Sequence, residues 1–590
     1  MFFISIFSVG VSADLDVYVV PTMTNEKIFP NTTISENLLS NNISIYASPG
    51  EFEPASFVLL SDRNLTEIDI NTGNLTDGSN EINTSFIDIS VVKVWYQAGI
   101  DLFTPYFTKT FKVLTPELLL KDDSLVKTEN GENYVKFTNG TYQWISNISE
   151  SIMLPQTVDG FPVRDNETLQ PLNLTEGENK QFWITVQVPE NMTAGNYTGV
   201  VNVTNSSHTI AQMYLEVEVL PINLSETGMI SSLYYYGQFS DTWPQGSISE
   251  YSRTEEQFRA EIQNMLDHGV TNPVLYQNYN LGQDNLGQAL SIRDEFGLEE
   301  YPLYYLGLRP WGNQSLEEVE EVINYTRDNY NISQVYFYGE DEAQGEDLTA
   351  QRGKWQDIQS LGGKIFVACC CNAYDLVGDI LDLAVYNGYP RAEEAADWHS
   401  QGQNITSYSN PQVGREEPET YRRNFGLLLW QNDYDGGFDF AYQYAMGHMW
   451  NDFDDDRHRD EVFTYITLDG VIDTIQWEGY REGIDDIRYM KTLEDKIDEL
   501  NGSVNVTAAN DWVVHVKNET NLHVTNLSYI RSKTKDFILN ITGKGPEPGW
   551  CGDGTAGTEE ECDTSDFKGL SCSDFGYTGG NLYCNVNCEI

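Results

Sequence analysis

Residues 334–344 read QVYFYGEDEAQ, an apolar and aromatic run that reaches Gly339 and then delivers Glu340, Asp341 and Glu342 in succession. Two carboxylates held in one pocket cannot ionise independently. One stays charged while the other has its pKa raised, which yields an electrostatic stabiliser and an acid from one residue type. Abundance alone is no argument, because the chain holds 90 Asp+Glu in 590 residues. About two acid triplets are expected by chance at that density, and Asp454, Asp455, Asp456 and Glu559, Glu560, Glu561 are two others. Position has to carry the reading. Inside a strand, neighbouring side chains point to opposite faces, so Asp341 and Glu342 could not share a pocket. Past Gly339 the chain is free to leave the strand, and both acids can turn the same way.

The elements that must position these acids follow from the hydrophobic pattern. From residue 14 to about 225, short alternating segments such as LDVYVV (residues 15–20), FWITVQV (182–188) and MYLEVEV (213–219) are separated by Asn, Gly and Pro. That pattern predicts an antiparallel β-sandwich with one buried and one wet face per strand. From 226 to about 500 the pattern changes to strands alternating with helical periods. Strands are predicted at 232–236, 273–276, 301–308, 335–338, 365–368, 383–386, 405–409 and 438–442. Thr254 with Gln257 and Ser315 with Glu318 have capping-box spacing at the start of two of the helices. Eight strands with mostly helical connections over about 270 residues predict a (β/α)8 TIM-type barrel. The acids then stand at the C-terminal end of the fourth strand, at the barrel mouth, where such barrels do their chemistry. Residues 501–545 read as a helical extension. GKGPEPG (residues 543–549) is a linker by composition, and 546–590 form a separate cysteine-rich piece.

The totals exclude some function classes. Hydrophobic content of 40% and 35 tyrosines describe a folded chain, while the net charge of -56 is spread along its length. A diffuse acidic surface repels phosphates and argues against nucleic-acid binding. It suits a protein kept soluble in high salt, so a halophilic source is the preferred expectation. The apolar run from Phe2 to Val11, ending in Val11-Ser12-Ala13, resembles a signal peptide over residues 1–13 without its basic region. No later stretch has the length of a transmembrane helix. Sequons such as Asn31, Asn64, Asn196, Asn313 and Asn540 fit an exported, extracellular or cell-surface glycoprotein. The seven histidines show no metal-ligand spacing, and neither a metal nor a cofactor is expected.

Longer motifs make the reading more specific. YGEDE (residues 338–342), YRRNFGLLLWQNDYDGGFDFAYQY (421–444) and DGVIDTIQWEGYREGIDDIRYMKTLE (469–494) resemble glycoside hydrolase family 123, and PGEFEPASFVLL (49–60) with VPENMTAGNYTGVVNV (188–203) resembles the sandwich that precedes its barrel. The resemblance covers about residues 15–500. It implies a retaining β-N-acetylhexosaminidase, specifically a β-N-acetylgalactosaminidase, acting on a glycan or glycoconjugate. It also implies roles for the acids: Glu342 as general acid/base, and Asp341 as the residue that orients and polarises the substrate's 2-acetamido group. That group, rather than a protein carboxylate, attacks the anomeric carbon, so adjacent acids suffice. Two other classes stay open: a surface glycan-binding or structural protein that keeps the barrel without turnover, and a glycosidase for a sugar without the acetamido group.

Sugars lay flat C–H faces on aromatic rings, so aromatics near strand ends are candidate substrate contacts. They are Tyr276, Trp311, Tyr338, Tyr389 and Tyr442, with Asn410 at the end of the seventh strand and Trp477 and Glu478 at the start of the last barrel helix. Trp430, beside Leu427, Leu428 and Leu429, is expected in the core. Arg481 is expected in a structural ion pair, and Asp454 to Asp456 in a solvated loop. Cys369, Cys370 and Cys371 are expected to pack as free thiols. Cys551, Cys562, Cys572, Cys584 and Cys588 lie close together in a piece too small for a hydrophobic core, which implies disulfides. Their surroundings resemble a small cysteine-rich repeat of exported microbial proteins. The fifth cysteine and the ending at Ile590 suggest that this module is cut short.

Overall fold

The computed structural model describes residues 15–99, 111–148, 157–206, 208–239, 251–279, 283–445, 447–455 and 459–545. The expected signal segment lies outside these residues. So does the cysteine-rich module, with Cys551, Cys562, Cys572, Cys584 and Cys588 and the expected disulfides.

Alternation in the first part of the chain builds two facing sheets. One holds Leu15–Val20, Phe52–Ser61, Asn179–Gln187, Ile87–Ala98 and Lys112–Leu120 in that spatial order, all antiparallel. The other runs through Leu172–Leu174, Leu65–Thr72, Gly195–Asn205, His208–Val219 and Asn42–Ala47. In the strand Asn179–Gln187, Phe182, Ile184 and Val186 face the core between the sheets. Trp183 points the other way and packs on Ile475, at the start of the helix Ile475–Leu500. Part of the outer face of this sheet is therefore covered by the second half of the molecule, and Tyr18, Val20 and Val58 on it pack under Ile28 and Ile34.

That second half is a barrel-like sheet of seven parallel strands. In spatial order they are Ile230–Leu233, Gly436–Asp439, Asn404–Tyr408, Leu383–Asn387, Lys364–Cys369, Val335–Tyr338 and Leu303–Tyr305. Between the two ends runs the predicted second strand, reduced to a bridge at Leu275. Its amides at Asn272 and Val274 donate to Ser231 and Leu233 on one side (3.1 and 3.0 Å), and Leu275 exchanges two bonds with Tyr304 and Leu306 on the other (2.9 and 3.0 Å). Pro273 has no N–H to give, which keeps this segment short of a regular ladder.

Helices cover the sheet, and their starts match the cap signals only in part. Ser315 and Glu318 complete a capping box on Leu316–Tyr330. Thr254 caps Glu255–Asp267 by accepting from the Gln257 amide, but the expected return bond is not made. Gln257 is buried, and its side chain donates instead to Glu261 and to the Gly470 carbonyl, both at 3.0 Å. After the eighth strand the chain makes a long excursion through two small hairpins before the last barrel helix. Met449, Trp450, Tyr465, Ile466 and Ile472 of this excursion enter the core of the sandwich. Helices Thr507–Asn518 and Leu527–Ile541 form a third cluster with Ile475–Leu500, and Trp430 packs there.

Buried ion pairs gather near the junction of the two halves, and the Arg531–Glu53 pair crosses it. Arg531 reaches Asp486 (2.5 Å), Glu482 (2.6 Å) and Glu53 (3.3 Å), and Arg422 also binds Asp486 (2.7 Å). Arg459 pairs with Glu416 (2.5 Å) and Asp452 (3.0 Å). Asp454, expected in a solvated loop, is instead buried and accepts the His448 amide at 3.0 Å. Burial pushes its carboxyl up to about 7. The excursion folds back on the sandwich, which takes this acid out of water.

Candidate active site

Val335–Tyr338 is buried along its whole length, and Gly339 lets the chain turn away from it at close quarters. A Cβ at Gly339 would lie 3.1 Å from both Gln351 Oε1 and Trp355 Cζ2. The Glu340 amide donates to that same Gln351 oxygen (2.7 Å), and the Glu342 amide donates to the Ala368 carbonyl on the next strand (3.1 Å). Glu342 holds a left-handed backbone, φ 51°. A residue with a side chain adopts this at a cost of about 1–3 kcal/mol, and such strain gathers at functional sites. The twist breaks the strand's alternation. Asp341 and Glu342 consequently line one cavity of about 800 Å³ at the barrel mouth.

Each of these acids has its own tyrosine. Tyr338 donates to Asp341 Oδ1 at 2.6 Å, and Tyr408 donates to Glu342 Oε1 at 2.7 Å. The Tyr338 hydroxyl also receives the Ala368 amide (3.2 Å) and meets the Tyr234 hydroxyl (3.1 Å), which fixes its position. Partial desolvation among these rings raises the Asp341 pKa; the Tyr338 bond opposes that shift, and the nearby Glu342 adds to it. Neither Asp341 nor Glu342 has an ion-pair partner among the described residues.

Aromatic faces complete the walls. Tyr236 and Tyr276 stack at 4.1 Å, Trp311 stands edge-on to Tyr276 and Tyr338, and the Arg309 guanidinium lies 4.5 Å above the Trp311 ring. A third carboxyl, Glu461, reaches the cavity from the excursion after the eighth strand. Burial first, then the charges of Asp439 and Glu342, hold it well above the usual carboxylate range.

Of the residues singled out in the sequence, Tyr276, Trp311, Tyr338, Asp341 and Glu342 line this cavity. The other five do not. Tyr389 lines an adjoining cavity of about 470 Å³ that shares Glu342 and includes Cys369, Cys370 and Cys371, and its hydroxyl meets His523 Nε2 at 2.6 Å. Those three cysteines are free thiols, and among the described residues there is no disulfide. Asn410 is buried, with its carbonyl and its side-chain oxygen both taken by Asn424. Tyr442 and Trp477 are buried and both donate to Asn264 Oδ1 at 2.9 Å. Glu478 is buried against the sandwich, accepting from Trp183 (2.9 Å) and pairing with Arg481 (2.6 Å). For Trp477 and Glu478 the cause is the path of the chain. The chain returns to the sandwich before the last barrel helix begins, and Thr474, its cap, bridges to Leu118 there. The helix start is thereby carried away from the mouth.

Tyr234, Tyr236, Arg309, Tyr408, Tyr444 and Glu461 line the cavity without having been singled out. Tyr408 carried a usable signal. It ends the seventh strand two residues beyond Thr406, on the same face of the pleat. Glu461 carried none, since it arrives from an irregular excursion. Among the described residues, no group of three or more His, Cys, Asp or Glu could hold a metal ion, and no helix is long and apolar enough to cross a membrane.

Comparison with known proteins adds to this geometry at the level of fold. No family model matches the sequence, and no curated protein matches it. Among solved structures, the chain is similar to a family 123 glycoside hydrolase from Clostridium perfringens studied for glycolipid glycan hydrolysis. The match has a TM-score of 0.61 at 13% identity and covers 90% of this chain and 99% of that one. The fold is therefore that of the family the sequence motifs resemble. A family 39 glycoside hydrolase from Bacteroides cellulosilyticus matches at a TM-score of 0.30 with 9% identity, over 55% of this chain and 76% of its own. A xyloglucanase from Bacteroides ovatus matches at 0.23 with 8% identity, over 77% and 99%. Similarity as low as these last two carries no argument.

Proposed function

We propose that the chain is a retaining glycoside hydrolase for β-linked 2-acetamido sugars, N-acetylgalactosamine first among them, and that the substrate's own acetamido oxygen is its nucleophile. One observation carries the reading. Two carboxyls adjacent in sequence line the same aromatic cavity, and each is held by a different tyrosine, so they can act on different parts of one substrate. Protonated Glu342 gives its proton to the glycosidic oxygen as the bond to the anomeric carbon breaks. The acetamido carbonyl oxygen closes on that carbon from the other face, forming an oxazolinium ring. Asp341 accepts the acetamido N–H, which orients the carbonyl and stabilises the positive charge of the ring. That bond also gives Asp341 a further donor, and so favours its charged form. In the second half, Glu342 takes a proton from the incoming water, and opening of the ring releases the sugar with retention.

Tyr276 and Trp311 supply rings for the sugar's apolar face, and the acidic cavity favours an uncharged sugar over an anionic one. The similar clostridial enzyme is described in terms of glycolipid glycans, and glycolipids or glycoproteins outside the cell are the substrates proposed here. The expected signal segment and sequons support an exported protein. Release of chromophore from aryl 2-acetamido β-glycosides, set against the parent galactoside and glucoside at low and high salt, tests the reading. The acetamido substrates alone should turn over. Equal turnover of the parent sugars would favour a glycosidase of different mechanism, and sugar binding without turnover would favour a glycan-binding protein.

A further inference from the structure

Three carboxyls face the cavity, and only two have tyrosine partners. The third, Glu461, sits in the short strand Glu461–Val462, opposite Tyr444 of Gln443–Tyr444. Its side chain is 3% exposed, and its buried Oε2 has no hydrogen-bond partner among the described residues. The charges that act on it are those of Asp439 and Glu342, both acids, so among the described residues no cation compensates a carboxylate there. Asp439 is itself buried, and its Oδ1 accepts the Ser409 amide at 3.1 Å. A buried polar atom without a partner is a liability for folding, and where it lines an open cavity a ligand can complete it.

We infer that Glu461 is a specificity-determining residue that hydrogen-bonds a ring hydroxyl of the sugar held between Asp341, Glu342 and the aromatic walls. The inference rests on the reading of this cavity as a sugar site and adds which residue discriminates among sugars. A protonated carboxyl both donates and accepts, which matches a hydroxyl, itself donor and acceptor. An anionic substituent would face Asp341 and Glu342. Arg309, the cation that lines the cavity, is stacked on Trp311. A site built to pair with a hydroxyl discriminates strongly against the analogue that lacks it.

Calorimetry separates the possibilities, using N-acetylgalactosamine, N-acetylglucosamine and their singly deoxygenated analogues with the wild type, Glu461→Leu and Glu461→Gln. Glu461→Leu should weaken the preferred sugar by about tenfold or more, while one deoxy analogue should bind both proteins alike. Glu461→Gln, which can still donate and accept, should keep most of the affinity. The melting temperature of unliganded Glu461→Leu should be equal to or above that of the wild type, because an unpartnered polar group has been removed. A lower melting temperature with unchanged affinity would mark Glu461 as structural and overturn the inference. So would an equal loss across all analogues, or tighter binding of a free amino sugar than of its N-acetyl form. If the wild type binds none of these sugars, the reading of the cavity fails, and the role of Glu461 fails with it.

Discussion

Arg531 and Tyr338 mark two ways in which this molecule holds its acids in place. Where the sandwich, the last barrel helix and the C-terminal helices meet, buried acids are matched by guanidinium groups: Asp486 and Glu482 by Arg531, Glu478 by Arg481, Glu416 by Arg459. At the barrel mouth, Asp341 and Glu342 have neutral tyrosine partners, and Glu461 Oε2 has no hydrogen-bond partner among the described residues. A carboxyl bound to a cation is locked in one protonation state and in one place. A carboxyl bound to a phenol keeps its orientation and stays free to change its proton. Under the proposed function, the difference separates acids that hold the fold from acids placed for chemistry, in a chain where the abundance of Asp and Glu hides both.

Substitutions at the two regions should therefore fail in different ways. The largest effect is expected from Glu342→Gln. It should lower turnover by about two to four orders of magnitude on substrates with poor leaving groups. Where the leaving group departs unprotonated the loss should be smaller, with thermal unfolding near that of the wild type. A variant that loses stability instead would erase the distinction between the regions. Arg531→Met should do the reverse. Glu482 then loses its guanidinium partner and Asp486 keeps only Arg422, which should cost about 3–5 kcal/mol of stability by denaturant unfolding, while activity per folded molecule is retained.

The acid limb of stability tests the interface more finely. Burial pushes Glu478 up, but Arg481, His268 and Trp183 together outweigh it and hold the carboxyl at about 2. A carboxyl depressed on folding stabilises above its unfolded value, near 4.5, and that stability is lost as pH falls through the folded value. The amount is on the order of 3 kcal/mol. Glu478→Gln should flatten the melting profile between those pH values. Asp341 is shifted the other way. Its contribution is present at low pH and lost as pH rises, so Asp341→Asn should leave the acid limb intact. The smallest effect expected is that of salt. Screening of the charge of -56 should raise the melting temperature from millimolar to molar salt. The buried pairs should respond little. A flat or falling series would remove the halophile expectation.

Much of the frame was legible because periodicity reports which faces are buried. Seven of the eight predicted strands formed near their expected positions, and the Ser315 cap closed as its spacing demanded. The second strand shrank to a bridge because Pro273 withholds a donor. Asp341 and Glu342 were legible from the strand-ending glycine, although the left-handed turn that brings them together is a tertiary constraint. Tyr442, Trp477 and Glu478 were misplaced because pattern says that a residue is buried and not at which end of the barrel it lies. The sandwich drew the start of the last barrel helix, with Glu478, to itself. Glu461 was invisible for the same reason in reverse, since it comes to the mouth from a stretch without a period.

Binding of a thiazoline mimic of the cyclised acetamido intermediate to the wild type and to Asp341→Asn tests the central claim most directly. Asp341 is assigned to the acetamido N–H and never touches the departing oxygen, so the wild type should bind the mimic tightly and Asp341→Asn weaker by about tenfold or more. Equal binding by the two proteins would contradict the account and send the search for the working carboxylates to the ends of other strands.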